Sequence, residues 1–264
     1  MEYIALTSKG QNHLFSSIIT HIENDSTLRK NYVIVGDRIK ERCISGMFIS
    51  AETAESIAHS HRSPLTIYIG QGLSDEQLIH LYSLSQAKQT LIDLVPKQRP
   101  QRASLRETHK HENCNVAISK VIDNGNGTYS SALMIDDTNA ELSDHLTGQH
   151  ISGMMIVEAA RQMSIATAEQ FYINPLTRRK VNFLTNRMHV TYHDLMLPVQ
   201  TEILCIPVAV KRSGPVNFRF TVNIQFRQQS KILATLEFDT SVIDARYFHL
   251  KEMQLLHRCI SLLG

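Results

Sequence analysis

Gly153-Met154-Met155-Ile156-Val157-Glu158-Ala159-Ala160-Arg161-Gln162-Met163-Ser164-Ile165-Ala166-Thr167-Ala168-Glu169-Gln170-Phe171-Tyr172 is helical by pattern, and Asn174-Pro175 closes it. Met154, Met155, Ile156, Val157, Ala159, Ala160, Met163, Ile165, Ala166, Ala168 and Phe171 cover nearly its whole circumference. A surface helix shows one apolar stripe; a helix apolar on all sides has to be enclosed. At ~1.5 Å per residue, about twenty residues make roughly 30 Å, enough to cross a domain. Three polar side chains interrupt the apolar surface. Glu158 lies i,i+3 from Arg161 and i,i+4 from Gln162, so the three share a face.

Strand-like segments follow near 186–193, 200–211, 217–229 and 231–243. The last two are the clearest. Phe218, Phe220, Val222, Ile224 and Phe226 alternate with polar residues, and Ile232, Ala234, Leu236 and Phe238 repeat the period of two. Upstream, Asn115 to Ile122 and Tyr129 to Ile135 flank Asp123-Asn124-Gly125-Asn126-Gly127-Thr128, a hairpin signal, since Asn and Gly tolerate positive φ. The order is hairpin, one long helix, antiparallel meander. A curved sheet wrapped around a single buried helix satisfies all of this, and that arrangement is the hotdog fold. The fold class is therefore α+β.

Residues 1–95 form a separate small α/β unit in this reading. Tyr32-Val33-Ile34-Val35, Leu65-Thr66-Ile67-Tyr68-Ile69 and Leu91-Ile92-Asp93-Leu94-Val95 are short apolar strands. Ser74-Asp75-Glu76-Gln77 has capping-box spacing ahead of Leu78, Leu81 and Leu84. Gly70-Gln71-Gly72 is better taken as a strand-to-helix turn than as a phosphate loop, because the third glycine is missing. The polar, basic stretch 96–107 is the expected linker, 108–247 the hotdog domain, and 248–264 a C-terminal packing helix that includes Met253, Leu255, Leu256 and Ile260.

The chain has 264 residues, 42% hydrophobic and 20% charged, with a formal net charge of +2. That balance gives no reason to expect nucleic acid or an anionic membrane as partner, but leaves room for an acidic carrier protein. Four scattered cysteines without a CxxC pair suggest neither a disulfide framework nor a metal site. No apolar run approaches the ~20 residues of a membrane span, and the N-terminus lacks a signal pattern, so a cytoplasmic location is expected.

Chemistry concentrates around the helix. A buried carboxylate either protonates or finds a cation. Glu158 and Arg161 thus form either an ion pair that merely tolerates burial, or a pair at a cleft floor, with Glu158 as acid/base or orienting group and Arg161 fixing it or binding an oxyanion. Just upstream lie Asp144, His145 and His150. Imidazole takes a proton near neutral pH, and a carboxylate can fix its tautomer. Gly153 opens the helix, where free N–H groups could polarise a thioester carbonyl. Gln162 is a further candidate for substrate contact. His109 with His111, His189 with His193 near Tyr192, the nucleophile candidates Cys114 and Cys205, and Ser152 are weaker candidates.

Asp144-His145 through Gly153-Met154, followed by Glu158-Ala159-Ala160-Arg161-Gln162, resembles the signature of the A-factor biosynthesis (AfsA-like) hotdog family. Lys110-His111 and Asn115-Val116 look like that family's opening strand. Leu146 and Ser152 stand where the family has prolines, and only one copy of Glu-Ala-Ala-Arg-Gln is present. The resemblance implies a single hotdog repeat that completes itself as a homodimer. It also implies transfer of a β-ketoacyl group from acyl carrier protein, or CoA, to the hydroxyl of a glycerol-type phosphate, leading to γ-butyrolactone signals. The thioester is substrate; no cofactor and no metal are implied. A 3-hydroxyacyl-thioester dehydratase or thioesterase, in which His145 and Glu158 would act, is one alternative. A non-catalytic acyl-binding protein is the other.

Overall fold

The computed structural model describes residues 31–43, 45–60, 65–88, 92–143, 149–174 and 180–262. The first unit is a four-stranded sheet. β1 (Tyr32–Ile34), β2 (Phe48–Ile49), β3 (Leu65–Ile69) and β4 (Ile92–Val95) are all parallel, in the order β2-β1-β3-β4. α1 (Asp37–Arg42), α2 (Ala51–Ser60) and α3 (Asp75–Ala87) connect them. α3 starts on the expected capping box: Gln77 N donates to Ser74 Oγ, and Ser74 N donates to Gln77 Oε1. β2 is too short to show a period, which is why the sequence does not reveal it.

The segment expected to be a linker is packed instead. Arg102 has only 5% of its side chain exposed. It donates from Nε to Asp75 Oδ1 and from Nη1 to the carbonyls of Val116 and Met134. Ala103 is buried, and α4 (Leu105–Thr108) lies against the long helix. A guanidinium is a usable tie here because its planar fork reaches three acceptors at once.

The second sheet has six strands, antiparallel throughout, in the order β5-β6-β8-β9-β10-β7. They are β5 (Ile122–Asp123), β6 (Tyr129–Ala132), β7 (Val181–Tyr192), β8 (Glu202–Arg212), β9 (Phe218–Gln228) and β10 (Lys231–Asp244). α5 (Ala140–Ser143) precedes α6 (Gly153–Phe171), the helix predicted to be enclosed. Met155, Ala159, Ala160, Met163, Ala166 and Ala168 are fully buried, in one core with Phe220, Val222, Ile224 and Phe226 of β9. The alternation on β9 thus fills the space that the apolar helix requires. Only the ends escape: Met154 and Phe171 are exposed. The β5–β6 hairpin turns on Gly125 and Gly127, both at positive φ.

α7 (Ala245–Ser261) begins three residues earlier than the sequence suggests, capped by Asp244, whose side chain accepts from Arg246 N. It does not pack as expected. Met253, Leu255, Leu256 and Ile260 are exposed, and the helix meets the sheet chiefly at β10 and β7. Among the described residues, no helix is long and apolar enough to cross a membrane.

Candidate functional site

The polar face of α6 meets a strap formed by residues 108–117. α4 ends in a Schellman-type turn: Lys110 N donates to Leu105 O and His109 N to Arg106 O. The left-handed position of that turn is held by His109 (φ 54, ψ 46) rather than by glycine. Its ring explains the choice. His109 Nε2 lies 3.0 Å from Glu169 Oε1, and the imidazole packs edge-on against Phe183. The turn then sends Lys110 to the other end of the face, with Nζ 2.6 Å from Glu158 Oε1. Glu158 and Glu169 are eleven residues apart, about 16 Å along the helix. Adjacent strap residues therefore span three turns of α6.

Glu158 is the hub. Arg161 donates to it bidentately, Nε to Oε2 at 2.8 Å and Nη2 to Oε1 at 2.9 Å. Gln162 Nε2 donates to Oε1 at 2.8 Å. Burial alone would raise the carboxyl's pKa. The hydrogen bonds and charge of Arg161, joined by Lys110 and Gln162, outweigh it and bring it down to about 2. Glu158 is thus an anion at neutral pH, with no proton to give.

Gln162 is fully buried, and both ends of its amide are engaged. Oε1 accepts from Ala117 N at 2.8 Å, and Nε2 also donates to Asn115 O at 2.8 Å. The side chain stands in for a strand partner of the strap, which fits positioning better than the substrate contact expected from the sequence. One N–H of the helix start is likewise engaged. Ser152 caps α6 by accepting from Met155 N, and Tyr192 Oη donates to Gly153 O at 3.0 Å. A Cβ on Gly153 would sit 2.7 Å from that hydroxyl, so glycine is needed for the approach of Tyr192.

His150 is elsewhere. It lines a small cavity with Ile39 and Arg42 of α1 and with Pro198, whereas the polar partners described for Glu158 are Arg161, Gln162 and Lys110. Asp144 and His145 lie outside the described residues. Cys205 is buried, which pushes its thiol up to about 12, so it is a core residue and not a nucleophile at neutral pH. Sequence reasoning gave Glu158, Arg161 and Gln162 but treated Lys110 only as part of a motif. The hidden signal was the left-handed turn, which carries no glycine to announce it.

A search of curated proteins finds no match. Solved structures that resemble the chain include a mutant thioesterase from Pseudomonas aeruginosa, 11% identical with a TM-score of 0.39, matching 56% of this chain and 97% of that one. A thioesterase from Haemophilus influenzae is 11% identical at a TM-score of 0.36, over 49% of this chain and 80% of that one. A conserved protein from Pseudomonas aeruginosa is 14% identical at 0.33, over 47% and 87%. Likenesses this distant bear on neither activity nor substrate. The model of the A-factor biosynthesis hotdog domain matches residues 94–244, more than half of the chain and the whole of the six-stranded sheet with its helix. The chain belongs to the AfsA family of hotdog proteins.

Proposed function

We propose that this chain is an acyl-thioester-dependent acyltransferase of the AfsA type. It would move a β-ketoacyl group from acyl carrier protein or CoA to the hydroxyl of a small acceptor such as a glycerol-type phosphate, in γ-butyrolactone-type signal or specialised-metabolite synthesis. The observation that carries this reading is Glu158, largely buried, holding the partly exposed Arg161 side-on through a bidentate pair. Acyl transfer needs a fixed positive group where negative charge develops. The acceptor oxygen attacks the thioester carbon and forms the new C–O bond, and the carbonyl electrons move onto oxygen. An oxyanion beside Arg161 then collapses, the C–S bond breaks, and the hydroxyl proton ends on the departing sulfur.

The ionised state of Glu158 disfavours the dehydratase alternative. Elimination asks the helix carboxyl to exchange a proton with a leaving hydroxyl, and a group held near pKa 2 is a poor donor at neutral pH. In this mechanism Glu158 orients and Arg161 stabilises charge, while Gln162 and Gly153 position the strap and the helix start.

The test is intact-mass analysis of acyl carrier protein loaded with a β-ketoacyl group, with and without dihydroxyacetone phosphate. Loss of the acyl group only when the acceptor is present is the expected result. Loss to water alone would indicate a thioesterase, a mass decrease of one water a dehydratase, and no change at any chain length a binding protein. Glu158→Ala and Arg161→Ala should each slow thioester consumption about 100-fold or more, with the fold checked by circular dichroism. Wild-type rates in both variants would remove the pair from the chemistry.

A further inference from the structure

Glu158 already has a complete partner in Arg161, yet a second cation shares its oxygen. Lys110 Nζ lies 2.6 Å and Arg161 Nη2 2.9 Å from the same Oε1, so the two cationic nitrogens are at most 5.5 Å apart. The three groups sum to one net positive charge. Both cationic side chains are partly exposed, 22% for Lys110 and 34% for Arg161, against 14% for Glu158. A plain buried ion pair has no use for that surplus. Like charges held this close are eased by an incoming anionic oxygen, and a lysine ammonium has three donors, of which Glu158 takes one. The backbone geometry matches, since the left-handed turn at His109 delivers Lys110 to the hub.

We propose that Lys110 and Arg161 form a two-cation site for one anionic oxygen of the substrate, with Glu158 as the fixed anion that holds the cations together. Lys110 is thereby assigned a substrate-contacting role. This deepens the acyltransferase reading by naming the second charge that meets the developing oxyanion.

The deciding variant is Lys110→Gln, which can still donate a hydrogen bond to Glu158 but carries no charge. A bracing role predicts wild-type behaviour. A cationic role predicts octanoate affinity, read by isothermal titration calorimetry on the full chain, weakened about tenfold or more, with Lys110→Arg recovering most of it. Consumption of the acyl thioester should fall in Lys110→Gln in the same direction. A second readout uses the unmutated protein: labelling of Lys110 by a lysine-reactive succinimidyl ester, mapped by mass spectrometry, should slow when octanoate is bound. Wild-type affinity in Lys110→Gln, unchanged labelling, or a wild-type chain that does not bind octanoate would each overturn the cation pair. A chain that binds octanoate through Lys110 but leaves acyl thioesters intact overturns the transferase proposal instead and leaves the site standing.

Discussion

Gln162 has no charge, yet it carries as much of the site's order as the ion pair beside it. Three hydrogen bonds of 2.8 Å link it to Ala117 N, Asn115 O and Glu158, and it has no contact with solvent. Its replacement by leucine keeps the volume and strands two backbone groups. Each buried group left unpaired costs about 1–3 kcal/mol, so Gln162→Leu should lower the unfolding free energy by roughly 2–6 kcal/mol, read from urea denaturation. A loss under about 1 kcal/mol would mean that water reaches the strap and that the amide is not its anchor. At this scale the sequence was informative for one reason. Glu158, Arg161 and Gln162 are expensive to bury, so their presence in an apolar helix has to be compensated by partners. Which partners is a tertiary matter. Asn115 and Ala117 present backbone, which has no signature in the letters, and the lysine that completes the hub arrives through a turn with none of the usual turn residues.

That turn is the element on which the site depends. A helix C-terminus in a Schellman motif normally takes glycine, because a Cβ costs roughly 1–2 kcal/mol in the left-handed region. His109 accepts that cost in exchange for its contacts with Glu169 and Phe183. Two substitutions separate backbone from side chain. Both His109→Gly and His109→Ala lose the ring, but only alanine keeps the strain, so the glycine variant should be the more stable by about 1 kcal/mol. Ordinary helix preference predicts the reverse order, and thermal unfolding of the pair tells them apart. The strands β8, β9 and β10 and the helix α6 were legible from period alone, since alternation on β9 and the all-round apolar pattern of α6 are local facts with one structural solution. The 108–117 strap was not. It reads as the start of a strand, but is the end of the four-residue helix α4, a turn and a 3-10 segment (Asn113–Asn115), each too short for a period to develop. α7 shows the opposite failure. Its pattern promises a packing partner that the described chain does not provide.

On the scale of the whole molecule, the two units are joined where an open parallel sheet would present a ligand crevice. The order β2-β1-β3-β4 reverses between β1 and β3, and the loops after those strands carry Gly36 and Gly70-Gln71-Gly72. The hotdog unit fills that place. Gln71, 3% exposed, donates to Leu133 O and Val199 O and accepts from Ile135 N, while Gly72 N donates to Ile135 O. Asp137 follows, accepting from Arg38 N through Oδ2. A Cβ at Gly36 would fall 2.3 Å from that carboxylate oxygen and one at Gly72 2.5 Å from its neighbour, so both glycines are required for the seat. The other oxygen, Oδ1, is buried without a hydrogen-bond partner. Burial raises the Asp137 carboxyl from 3.8 to about 6; the Arg38 N–H opposes this, and Asp37 and Asp136 add to it. The sign follows from proton counts. Below about pH 4 the group is protonated in both states and contributes nothing. Between about 4 and 6 the unfolded chain ionises first, so stability falls as pH rises, and the full penalty stands above 6. Glu158 behaves oppositely: its contribution is present above about 4.5 and is lost as pH falls towards 2. Asp137→Asn isolates the first effect. The amide keeps an acceptor for Arg38 N and replaces the unpartnered oxygen with a donor. At pH 7 the variant should be more stable than wild type by on the order of 1–3 kcal/mol, the figure being reduced for the part of the group that solvent reaches. At pH 4 the two should coincide, because there the wild-type carboxyl already carries its proton. Urea midpoints measured at both pH values give the comparison directly. An Asn variant no more stable than wild type at pH 7 would mean that the carboxylate is matched in its seat, and that the join between the units carries no acid-dependent term.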